Sequence, residues 1–135
     1  FEHFDDPGGV LGLMHGMLRP GGGVFVSFGP TWYHPRGGHL FSIFPWSHLL
    51  FSERAQIRWR ADFKHDGATC FREVSGGLNQ MTIGRFKKLA EASDFRIVFC
   101  KLVPLPPLRW LHNRVTREFT TSLVNAHLVR RDDHR

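Results

Sequence analysis

The chain has 135 residues, 41% of them hydrophobic and 13% aromatic, enough for one ordinary domain with its own core and too much for a disordered tail. Its net charge of +6, with pI near 10.2, favours anionic partners or surfaces and says nothing about fold. No apolar run approaches the roughly 18 residues of a spanning helix, and the first residues show no basic region or cleavage site, so neither a membrane span nor a signal segment is expected.

Phe1-Glu2-His3-Phe4 reads as the tail of a strand or the loop leaving it. Asp6 then caps a helix with Pro7 at its first position, where a missing N–H costs nothing. Val10, Leu11, Met14, Met17 and Leu18 recur at three- and four-residue steps, placing them on one face of a helix over 7–19. Pro20 and the glycines 21–23 stop it. Residues 24–28 (VFVSF) are short, apolar and non-alternating, as expected of a strand covered on both faces. Helix, glycine turn and buried strand together form the second half of a βαβ unit.

The loop 29–39 (GPTWYHPRGGH) follows the end of that strand, where open α/β sheets place ligands. Residues 40–51 (LFSIFPWSHLLF) carry Pro45 in an apolar run and read as a packed, partly helical lid extending to about residue 60. Ser52 caps a short helix over 53–60, and 61–77 is a polar connection ending in Gly76-Gly77. Thr82 caps a helix in which Ile83, Phe86, Leu89 and Ala90 line one side. Residues 95–103 form a strand, 108–118 look helical, and 121–130 form a final strand. The long link between the last two strands lets them pair side by side, most simply antiparallel. Basic residues are scattered over 54–60, 85–88, 114–117 and 130–135, the pattern of solvated faces. Cys70 and Cys100 give no disulfide framework, so a reducing, cytoplasmic setting is expected.

Glu2-His3, Asp6-Pro7, the helix ending Leu18-Arg19-Pro20-Gly21-Gly22, and the strand after it resemble the middle of the class I S-adenosylmethionine-dependent methyltransferases. In that family E-H closes the fourth strand, D-P follows, and L-x-P-G-G precedes the fifth strand. Met81, Thr82, Arg85, Phe86, Leu89, Ser93 and Phe95 are similar to the helix leading into the sixth strand. The resemblance runs from Phe1 to about Arg130. It implies an α/β, Rossmann-like sheet, mostly parallel with an antiparallel last strand and with the first strands missing. The whole chain is then one partial domain, the acceptor-side half. The family's glycine-rich cofactor loop is not in this sequence. Gly8, Gly9, Gly12 and Gly16 lie inside a helix that no local strand precedes, so a single chain of this kind is expected to bind S-adenosylmethionine poorly. If successive crossovers keep their usual hand, the helices over 7–19 and 82–93 pack on opposite faces of the sheet. An exposed sheet edge then invites self-association or aggregation.

Methyl transfer is an in-line displacement, so alignment of donor and acceptor does most of the work. A base near neutral pKa helps an oxygen or nitrogen acceptor. The resemblance puts His3 there as the candidate base, with Glu2 and His3 on the cofactor side. Trp32, Tyr33, His34, Arg36 and His39 are the candidate substrate contacts, suited to stacking on and hydrogen bonding a small or lipid-like acceptor. No metal site is expected: His34 and His39 are five apart in a glycine loop, the cysteines lack C-x-x-C spacing, and no H-E-x-x-H occurs. The alternative is a basic nucleic-acid-binding or RNA-methylating module, since Arg58, Arg60, Lys64, Arg72, Arg114 and Arg117 interleave with aromatics.

Overall fold

The computed structural model describes residues 1–41, 43–73 and 78–131. The Gly76-Gly77 end of the polar connection and the charges beyond Arg131 lie outside the described residues. Asp6 Oδ1 accepts from the Gly9 N–H at 2.9 Å and opens α1, Pro7–Met17. The Arg130 guanidinium donates to the Leu18 carbonyl at 2.5 Å at the other end, setting a cation where α1 exposes its last carbonyls. Leu11 is fully buried and Met14 and Leu18 pack beside it, whereas Met17 is 86% exposed and leaves the face assigned to it.

β1 spans Gly23–Phe28. A loop with a 3₁₀ turn at His39–Phe41 leads to the short α2, Ser47–Leu50, and to α3, Glu53–Ala61, capped by Ser52. Thr82 accepts from the Arg85 N–H and opens α4, Ile83–Ala92. Then come β2, Phe95–Pro104, a 3₁₀ segment over Pro106–Leu111, α5 at Arg117–Thr120 and β3, Thr121–Arg130. The break between the 3₁₀ segment and α5 replaces the single helix expected over 108–118. No described helix is long and apolar enough to cross a membrane.

The sheet corrects the mostly parallel, Rossmann-like expectation. It has three strands in the order β1-β3-β2, and β3 pairs antiparallel with both neighbours. The last strand therefore occupies the middle, and the other edge of β1 meets no strand among the described residues. β1 is covered on one face only. Val26 and Phe28 are buried, while Phe25, next to Val26, is 83% exposed. An apolar run over 24–28 conceals this, because Phe25 and Ser27 alternate outward as in any half-buried strand.

α1 and α4 lie on the same face, not on opposite ones. Leu11 from α1 and Ile83, Phe86 and Ala90 from α4 share one core with Val26, Phe28, Phe95, Val124, Ala126 and Leu128. Phe86 is fully buried, with ring centroids 5.0 Å from Phe28 and 5.7 Å from Phe1. A second, smaller cluster of Phe41, Phe71 and Leu78 gathers Trp32 and Ile57 under the 40–60 segment. That segment packs less completely than a lid rich in aromatics suggests: Phe44, Leu50 and Phe51 are exposed.

Candidate functional site

The site forms where the chain leaves β1. Gly29 has φ +152°, and a Cβ there would strike the Ser122 carbonyl, so only glycine lets the backbone pass β3 this closely. Its N–H donates to Glu2 Oε1 at 3.2 Å. The Glu2 side chain is 11% exposed. Burial works to raise its pKa, but backbone N–H groups of Glu2 and Gly29 and the adjacent amino terminus outweigh it, and the carboxyl is held below its usual range.

The following loop folds back on itself. The Trp32 N–H donates to the Met81 carbonyl at 2.8 Å and the Gly37 N–H to the His34 carbonyl at 2.8 Å. This return sets His39 against His3, their rings 5.1 Å apart edge to face. His3 Nε2 stands 3.9 Å from Glu2 Oε1, beyond hydrogen-bond reach. The donor atoms of Glu2, His3 and His39 all lie within 4.8 Å of one another, so among the described residues this group could hold a metal. Burial, aided by His3, pulls the His39 pKa down against Glu2 and a hydrogen bond to the Pro30 carbonyl.

His34 is 4% exposed and is drawn down to about 4 by burial, then by Arg36, His48 and His39. Its Nδ1 accepts from the Arg36 N–H at 3.0 Å, and its Nε2 lies 3.3 Å from Ser122 Oγ. An Nδ1 that accepts leaves the proton on Nε2, so His34 is a neutral strut between the loop and β3. His48, also buried, lies 2.6 Å from the Trp32 carbonyl through Nε2. Its pKa is lowered by burial.

Thus the fold brings together Glu2, His3 and His39, with His34 and His48 in the wall behind. It takes Trp32 away into the smaller core, against His48 and Phe71. Tyr33 rests on Phe119 with its carbonyl accepting from the Trp46 indole at 3.0 Å, and Arg36 points to solvent. His48 is absent from the sequence-derived set. The signal for it is a lone imidazole inside the apolar run 40–51, a polar group that burial obliges to find a partner.

Chemically the cluster offers one ionised carboxylate and two imidazoles, of which His39 is biased toward its neutral, proton-accepting form. The His3 imidazole is the exposed one, its side chain 47% exposed. Comparison with protein-family models, curated proteins and solved structures gives no match.

Proposed function

We propose that this chain is the acceptor-side portion of an S-adenosylmethionine-dependent methyltransferase acting on a small or lipid-like molecule. The observation that carries the reading is the meeting of His3 with His39 beside the buried Glu2. Two loops that are far apart in sequence, one carrying the E-H motif and one expected to touch the acceptor, converge at the end of β1. The antiparallel sheet counts against the parallel half-domain that the resemblance implies, so the reading rests on motif order and on this convergence alone. His3, its side chain 47% exposed, would accept the acceptor's proton while His39 and Glu2 fix its surroundings. Residues outside this sequence would supply the glycine-rich donor loop. A cytoplasmic setting goes with the same reading, supported by Cys70 and Cys100, which are both free thiols.

The test is transfer of labelled methyl from S-adenosylmethionine by this sequence joined to a donor-binding segment, across hydroxylated and lipid-like acceptors. His3→Ala is expected to lower turnover by about a hundredfold or more with donor affinity unchanged. Equal losses in both would make His3 structural. No methyl transfer to any acceptor would remove the reading.

A second reading, single-stranded nucleic-acid binding, is favoured by the uncovered sheet face. Phe25 and His127 are register partners stacked at 4.3 Å, and Phe99 is paired to His127 from the other side. Exposed Arg96 and Lys101 flank this row on β2. Aromatic rows beside cations suit stacked bases. Oligonucleotide binding that weakens steeply with salt and disappears in Phe25→Ala supports it, and no binding at moderate salt eliminates it.

A further inference from the structure

We infer that Glu2, His3 and His39 form a binding site for one divalent transition-metal ion of the zinc class. This goes beyond methyl transfer and stands without it. Three observations carry it. The first is the donor set: two imidazoles and one carboxylate suit borderline ions such as Zn²⁺ and Co²⁺, which take nitrogen and oxygen ligands together. The second is spacing. Donors bound to one ion at about 2.1 Å lie at most about 4.2 Å apart, so donor atoms already within 4.8 Å need only small side-chain adjustments to close on an ion.

The third is the shell behind the donors. His39 is hydrogen-bonded to the Pro30 carbonyl, which holds one ring nitrogen protonated and turns the other into a lone-pair donor. Metal-binding imidazoles are oriented in this way. Glu2 Oε1 is steadied by the Gly29 N–H at 3.2 Å, so the carboxylate is fixed before any ion arrives. His3 is the exposed member, and on its side the ion would keep coordination positions open for water or a substrate oxygen. The sequence hides the group because His3 and His39 stand 36 positions apart, whereas ligand motifs are recognised by donors a few positions apart.

The probe is Co²⁺ titrated into the 135-residue chain, followed by visible absorption and by equilibrium dialysis. One Co²⁺ per chain, displaced by Zn²⁺, is expected. Affinity should fall by about tenfold or more, the range seen even for outer-shell changes, in His3→Ala, His39→Ala and Glu2→Gln. It should hold in His65→Ala, an exposed histidine outside the group. His3→Ala removes the most exposed of the three ligands, and circular dichroism checks that all three variants fold. Absence of stoichiometric binding overturns the inference, and so does binding that survives His3→Ala in full. A bound ion would occupy the imidazole that methyl transfer uses as a base, so the methyl-transfer assay is run on metal-free chain and each idea keeps its own readout, Co²⁺ absorption for one and methyl transfer for the other.

Discussion

The sheet half of the molecule and the lid half are held together by different means. The sheet half is a repetitive structure: β3 is bonded along its length to β1 and β2, and α1 and α4 press one continuous apolar layer onto it. The lid half, from Gly29 to about Phe71, has three short helical pieces around a small aromatic cluster. There, side chains bond to backbone in place of ladders. The Gln56 amide donates to the Phe51 carbonyl at 2.9 Å and the His48 carbonyl at 3.3 Å, and the Glu53 carboxylate accepts from the Phe71 N–H. The buried Gln56 Oε1 has no hydrogen-bond partner, at a cost of about 1–3 kcal/mol, and β3 carries one such atom too, Thr121 Oγ1. A region built from single polar contacts is the one that opens first. It is also the region that presents His39 to His3.

The largest expected effect separates the halves directly. Phe86→Ala, at a fully buried position, should cost about 3–5 kcal/mol in a denaturant melt and expose the whole chain to hydrogen exchange. Phe71→Ala, 3% exposed in the smaller cluster, should open the lid while β3 amides stay protected. Equal loss of β3 protection in both variants would mean that the two halves unfold as one.

Acid should act next, and on the lid. His34 takes a proton near pH 4 in the folded protein and near 6.5 when unfolded, so on acidification the unfolded chain is protonated first. Stability supplied by its neutral ring is complete above about pH 6.5 and is lost as pH falls toward 4, by about 3 kcal/mol at most. His39 and His48 are lowered too and act in the same direction. Melts across this window, with near-ultraviolet dichroism reporting Trp32 and Trp59, should show the lid transition moving before the sheet transition. A lid transition that does not move with pH would refute the strut assignment for His34.

A smaller effect belongs to the seam of the sheet half. The Glu118 carboxylate of α5 accepts from the Ile83 and Gly84 N–H groups at 3.0 and 2.8 Å, capping α4 from a distant part of the chain. Glu118→Ala should cost about 1–2 kcal/mol, as lost caps do, with Glu118→Gln keeping part of it. The smallest change is expected for Asp66→Asn. The Arg60–Asp66 pair, two contacts of 2.6 Å, holds Asp66 down to about 2. Asp66 is exposed although the Arg60 side chain is 11% exposed, and a pair with one solvated partner should contribute slightly and fade with salt. A large, salt-independent loss would show that the pair anchors the lid.

Much of the secondary structure was legible because its causes are local. Asp6, Ser52 and Thr82 cap the helices assigned to them, and β1 and β3 fall where the apolar runs put them. The face of α4 was legible too, since Ile83, Phe86 and Ala90 repeat at helical spacing and are buried together. The outward position of Phe25 is not legible, because a phenylalanine between two valines gives no sign of which face of a strand it occupies. Of the candidate site, His3 and His39 are each legible in their own loops, but their meeting is not, and Trp32 goes to packing instead.

What the residues determined unaided was the order and limits of most elements, because capping, glycine stops and apolar periodicity act within a turn or two of chain. Strand direction, the sharing of one sheet face by both helices, and the Glu2–His3–His39 group were decided only in three dimensions. Those depend on which distant surfaces bury the most apolar area together, and that choice is made by the whole chain at once.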